Sequence, residues 1–206
     1  MSLGTRTWVF VLMAVLFCTA ATSTPIPLNS GDDLSGLTEW NNLAGPNVLI
    51  NPHPLWQPNG AGKWISYALT GDGQYYPPNN WNAPLAVFYE IFTLPAPSIA
   101  GSITVWADDT AGVYLDNMLL WPPSLTQDNA CAIGPIACLP DEGGTFSLAG
   151  LPAAVHTLRF EAYQLGGYPF GILYEGWVEP VPEPVTFMLI GAGLAALGLL
   201  RRRSRT

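Results

Sequence analysis

The chain is poor in the residue types that most often do chemistry. Among 206 residues there are two histidines and three cysteines. No Gly-x-Ser-x-Gly elbow and no His-Glu-x-x-His pair is present. His53 lies in a Pro-rich stretch and His156 at the start of an expected strand, so both read as surface residues rather than bases. Carboxylates occur in adjacent pairs, at Asp32-Asp33, Asp108-Asp109 and Asp141-Glu142. Neighbours on a strand point to opposite faces, so none of these pairs makes an acid/base couple on its own. These gaps speak against an enzyme.

Positive charge is scarce as well. Seven Lys and Arg stand against fifteen Asp and Glu. Five of the seven lie near the two ends, at Arg6, Arg201, Arg202, Arg203 and Arg205. Between the ends only Lys63 and Arg159 remain, against fourteen acidic residues, which sets that part near −12. Such a surface repels nucleic acid and anionic membranes, so neither is an expected partner. It suits calcium, or simply solubility.

Long apolar runs are confined to the two ends. Met1–Thr7 carries Arg6, Trp8–Phe17 is unbroken apolar sequence, and Cys18–Ser23 supplies small residues. This is the layout of a secretory signal peptide over residues 1–23, cut after Ala20 or Ser23. Bulky Phe17 argues against a lipoprotein site at Cys18, and the lone Arg6 excludes a twin-arginine signal. At the other end Val181-Pro182-Glu183-Pro184 precedes an apolar run, Val185–Leu200, followed by Arg201, Arg202, Arg203 and Arg205. The prolines end any strand. Sixteen helical residues span about 24 Å against a hydrocarbon core of about 30 Å, a gap that snorkelling arginines and local thinning close. The arginines hold their end in the cytoplasm and place the middle of the chain outside it.

Pro-Glu-Pro, one membrane-length segment and a basic stub, in that order, resemble the PEP-CTERM sorting signal of exported bacterial proteins. The resemblance covers Pro182 to Arg205. It implies recognition by a membrane enzyme, exosortase, with cleavage near Pro182, Glu183 and Pro184. Arg201, Arg202, Arg203 and Arg205 would set the orientation. The chain would use the secretion machinery, sit in the inner membrane through 185–200, and then pass to the cell surface or extracellular matrix. A simple C-terminal anchor is the rival reading. No Leu-Pro-x-Thr-Gly box is present, and a lipid-anchor tail would end in apolar residues.

Residues 24–180 are long enough for one domain with a core of its own. Strands are expected at 47–50, 63–70, 85–94, 102–107, 113–120, 145–149, 155–165 and 170–178, with 25–45 irregular apart from a helical turn near 34–43. On 85–94 both faces are apolar, which suits a central strand between layers. Asp108–Gly112 reads as a turn and Asp116-Asn117 as the tight turn of a hairpin. With no amphipathic helix between strands, the class is all-β, an antiparallel sandwich. Trp106-Ala107-Asp108-Asp109-Thr110 leading to Val113-Tyr114-Leu115-Asp116-Asn117 resembles the galactose-binding-like jelly roll, although Met118 stands where that pattern has glycine. This resemblance implies a jelly-roll-like sandwich and no particular ligand.

Three candidate sites follow. Cys131 and Cys138 bracket a Gly134-Pro135 turn, and an oxidising compartment would join them, contributing roughly 2–2.5 kcal/mol by loop closure. Asp108 and Asp109 offer hard oxygens for calcium, or else accept backbone N–H groups as turn residues. Tyr75, Tyr76 and Trp81 form either a platform for sugar rings or ordinary packing. The expected function is therefore a non-enzymatic exported protein of the surface or exopolysaccharide matrix. The alternative is a carbohydrate-binding module, calcium-dependent or not, on the same sandwich.

Overall fold

The computed structural model describes residues 23–43, 45–126, 134–182, 191 and 193. Pro25–Pro180 forms one compact unit. Its strands are β1 Ile26–Asn29, β2 Glu39–Asn41, β3 Val48–Leu49, β4 Ile65–Ser66, β5 Ala86–Thr93, β6 Ser98–Asp108, β7 Thr110–Leu115, β8 Met118–Trp121, β9 Gly144–Ser147, β10 Val155–Tyr163 and β11 Gly171–Pro180. All pairings are antiparallel. One sheet has the order β3-β4-β11-β6-β9 with β1 added on β11, and the other the order β2-β5-β10-β7-β8. No helix occurs among the described residues of this unit, so it is all-β with two antiparallel sheets.

Alternation builds the core. Ala86, Phe88 and Phe92 on β5 face inward, as do Leu158, Phe160 and Ala162 on β10 and Ala111, Val113 and Leu115 on β7. Ile103, Val105 and Ala107 on β6 and Ile172, Tyr174 and Val178 on β11 meet them from the other sheet. Phe160 stacks on Tyr174 at 4.6 Å between ring centres. Each fully buried large side chain contributes about 1.5–3 kcal/mol of transfer free energy.

The two sheets differ on their outer faces. Leu173 and Trp106 pair in register on the far side of the six-stranded sheet. They pack there with Ile50, Trp56, Trp64, Ala137 and Cys138, so loops cover that face with a second core. The outer face of the five-stranded sheet carries only a two-residue cluster, Tyr163 with Leu165, among the described residues.

Several sequence expectations change. The 25–45 stretch is not irregular: β1 and β2 lie in it, and no helical turn forms at 34–43. Instead the Asp33 carboxylate accepts N–H groups of Ser35, Leu37 and Thr38, folding a tight loop ahead of β2. The 63–70 strand shrinks to Ile65–Ser66, because Thr70 turns its hydroxyl to Ser66 and to the Phe170 carbonyl. Asp108–Gly112 is no five-residue turn. β6 runs through Asp108, β7 starts at Thr110, and the chain changes sheets at Asp109. The outward residues of β5, Val87, Tyr89 and Ile91, are half-buried, and among the described residues they belong to no second core.

Candidate functional site

Two of the sequence-predicted sites, the Asp108-Asp109 pair and the 71–84 loop, are linked through the turn after β10. The peptide bond Asp108–Asp109 is cis. Both side chains are buried, and Asp109 Oδ2 accepts the N–H groups of Leu165 and Gly166, the latter at 2.7 Å. Asp109 thus ties the sheet-crossing point to the turn after β10. That turn is in turn tied to the 71–84 loop. Asn80 N–H donates to Gln164 O at 2.7 Å, Asn79 Nδ2 to Leu165 O at 2.8 Å, and Gln164 Nε2 to Tyr168 O at 2.6 Å. Tyr75, Tyr76 and Trp81 are all exposed, and Tyr168 on the facing turn is exposed too.

His156 corrects its expectation. It is buried, with Nδ1 2.7 Å from Asp116 Oδ2 and Nε2 2.9 Å from Pro152 O. Asp116 Oδ1 also accepts the Thr157 N–H. The histidine clamps the β7–β8 hairpin to β10. The turn itself, Asp116-Asn117, has positive φ at both residues, 49° and 66°, the requirement of a two-residue type I′ turn. Asn117 there supplies what glycine would.

Between the sheets lies a cluster the sequence reading missed. Glu39 on β2 and Glu90 on β5 are direct cross-strand partners, both buried on the inner face. With Asp32 they bring three carboxylate oxygens within 4.8 Å of one another, an arrangement able to hold a cation. The protein already serves these oxygens. Gly31 N–H and Asn47 Nδ2 donate to Glu39 at 2.8 Å each, and Tyr174 O–H donates to Glu90 at 3.0 Å. Burial pushes the carboxyl of Glu39 up to about 7 and that of Glu90 up to about 8. Burial, and then the facing Glu90, push the Tyr174 hydroxyl well up too. Three negative charges so close together do not all persist at neutral pH without a counter-charge.

A second unforeseen feature runs across the outer face of the five-stranded sheet. Register aligns Trp40, Tyr89, Arg159 and Tyr114 side by side on β2, β5, β10 and β7. All four are half-buried. Trp40 and Tyr89 stack at 5.1 Å with 11° between their planes. The Arg159 guanidinium sits 3.7 Å from the centre of the Tyr114 ring. Glu161 receives a hydrogen bond from Arg159 and one from the Tyr114 hydroxyl at 2.9 Å. A groove of about 390 Å³ opens beside Trp40.

Cys138 is buried and disulfide-bonded. Cys131 lies outside the described residues, so the pairing expected from the sequence is not described. The same is true of all but Ser23 of the signal peptide expected over 1–23, of Glu183 and Pro184, of the arginine stub, and of 185–200 apart from Gly191 and Gly193, both helical. Among the described residues no helix is long and apolar enough to cross a membrane. Pro182 follows β11 directly, two residues past its end.

Residues 180–203 match the PEP-CTERM protein-sorting motif. The chain carries a PEP-CTERM sorting signal. The motif begins on the last residue of β11, so signal and sandwich adjoin without a spacer. Among curated proteins none matches the chain. Among solved structures it is similar to a native family 35 carbohydrate binding module from Clostridium thermocellum, with 10% identity over 75% of this chain and 97% of that one and a TM-score of 0.40. It is also similar to a Paenibacillus sp. cycloisomaltooligosaccharide glucanotransferase complexed with cycloisomaltoheptaose, with 12% identity over 74% of this chain and 18% of that one, TM-score 0.37. A GH31 alpha-xylosidase from Xanthomonas citri follows, with 12% identity over 46% and 10%, TM-score 0.29. Scores this low carry no argument about this chain.

Proposed function

We propose that the chain is an exported surface or matrix protein, held at the inner membrane by its PEP-CTERM segment until an exosortase-type enzyme processes it near Pro182-Glu183-Pro184. The sandwich binds or builds, and the chemistry belongs to the processing enzyme. The observation that carries this reading is the sorting motif over 180–203, placed directly behind the last strand. A cut at the Pro-Glu-Pro tag would leave every strand from Ile26 to Pro180 in place. Intact-mass spectrometry of protein recovered from the surface and medium of its native host tests it. Loss of both ends, with a new C-terminus near Pro182, supports the reading. A mature protein that still contains Arg201–Arg205 overturns it in favour of a simple anchored envelope protein.

A second reading adds carbohydrate binding at the loop end. It is favoured by the joint exposure of Tyr75, Tyr76 and Trp81 on a loop that Asn79 and Asn80 pin to the 164–168 turn. Aromatic faces held this way suit the apolar faces of sugar rings. A glycan array probed with and without calcium tests it, and an array without a single hit overturns it. This reading does not need calcium at Asp108 and Asp109, since Asp109 Oδ2 already accepts two backbone N–H groups.

A further inference from the structure

We propose that the outer face of the five-stranded sheet is a separate binding site for an uncharged saccharide chain, with one sugar ring seated in the groove beside Trp40 and the chain running across the strands toward Tyr114.

Pro123 packs over Gly112 at the β7 end of this face, and among the described residues no second core covers the remainder. The corresponding face of the other sheet is closed by a second core of three tryptophans and their neighbours, whereas here the row Trp40–Tyr89–Arg159–Tyr114 stays half-exposed. One face of Trp40 is taken by Tyr89. The groove, lined by Leu37, Pro46 and Ile91, opens on Trp40 at the edge of the sheet, where β2 is the last named strand and Gly45 bridges to Asn41. A flat ring can enter it and lie against the indole. Four neighbouring strands at about 4.8 Å spacing cover about 14 Å, the reach of a short oligosaccharide.

The chemistry of the row selects the ligand. Two stacked rings, Trp40 and Tyr89, stand at one end of the row, and Arg159 and Tyr114 bring hydrogen-bonding groups at the other. Arg159 and Glu161 hold each other and Tyr114 in fixed orientation. A saccharide needs both features, because each ring has an apolar C–H face and a rim of hydroxyls that donate and accept. The core of a protein–protein interface is instead depleted of charge. Arg159 and Glu161 cancel, and the surrounding unit lies near −12, so an anionic polysaccharide is repelled and nucleic acid is excluded. An uncharged glycan meets no such penalty.

This site does not depend on the loop-end reading, and the test separates the two. The full chain is purified in a zwitterionic detergent, since sugar detergents would compete. Isothermal titration is then run against soluble uncharged oligosaccharides of six or seven units (cello-, xylo- and malto-series), with oligogalacturonate as the charged control. Binding by at least one uncharged series and not by oligogalacturonate is expected. Trp40→Ala should weaken it at least tenfold. Leu37→Arg fills the groove from an exposed position where folding is not at stake, and should weaken it likewise. Trp81→Ala should leave it unchanged. Absence of binding at millimolar concentration, unaltered affinity in Trp40→Ala or Leu37→Arg, or loss of binding in Trp81→Ala overturns the assignment.

Discussion

Glu39 and Glu90 face each other across β2 and β5 inside the sandwich, with the Tyr174 hydroxyl donating to Glu90 from the opposite sheet at 3.0 Å. A buried pair of acids at the meeting of two sheets makes the fold sensitive to protons.

The sign of that sensitivity follows from the direction of the shifts. Both carboxyls titrate above their ordinary 4.5, Glu39 at about 7 and Glu90 at about 8, because burial disfavours the charged form. The folded chain therefore keeps protons that the unfolded chain releases, and stability falls as pH rises from about 5 to about 8 before levelling. Melting followed by circular dichroism should show a lower Tm at pH 8 than at pH 5. Glu90→Gln, which still accepts from Tyr174, should flatten the slope and melt above the wild type at pH 8. A Tm that rises across this range in both proteins would contradict the account.

Asp109 should act through backbone rather than metal. Its carboxylate caps the N–H groups of Leu165 and Gly166. Asp109→Ala leaves two amides without an acceptor and should cost about 1–3 kcal/mol in urea unfolding. Calcium at millimolar concentration should leave the wild-type Tm unmoved. A rise in Tm that Asp108→Asn abolishes would instead establish the cation site expected from the sequence.

Phe160 sits wholly buried against Tyr174 and in register with Phe88 and Val113. Phe160→Ala opens a cavity at the middle of the core and should cost about 3–5 kcal/mol, read as a lower urea midpoint.

Asn117, at φ 66°, is the second of the two left-handed residues of the β7–β8 turn. Asn117→Gly should be neutral or slightly stabilising. Asn117→Val should cost about 1–2 kcal/mol, since a branched side chain resists that conformation. Equal Tm values for the two variants would mean that the turn does not hold the hairpin.

What the sequence made legible were the long central elements. Strands at 85–94, 102–107 and 155–165 announce themselves by alternation, and β5, β6 and β10 stand there. The hairpin at Asp116-Asn117 and the sorting signal were equally readable, because each is a local pattern. β1 and β2 were not. Pro27 interrupts one, and the other is three residues long, held by pairing with β5 rather than by its own composition. The Trp40–Tyr89 stack and the Glu39–Glu90 pair were unreadable for the same reason. Both exist only through the register of β2 on β5, a contact between residues about fifty positions apart. Glu90 also sat in an apolar alternation that gave no sign of a partner. For Tyr75, Tyr76 and Trp81 the residue types were informative, but whether a loop turns them outward is decided by Asn79 and Asn80 gripping a turn formed much later in the chain.

The pairing of β11 with β1, β4 and β6 has a consequence for timing. The strand on which the six-stranded sheet is centred is the last to leave a ribosome or a translocation channel. In a chain exported N-terminus first, the earlier partners wait with open edges until Pro180 has emerged. The sorting tag follows at that residue, so an unfinished sheet would still be tethered at the membrane. Release would come only to a domain whose closing strand has already arrived.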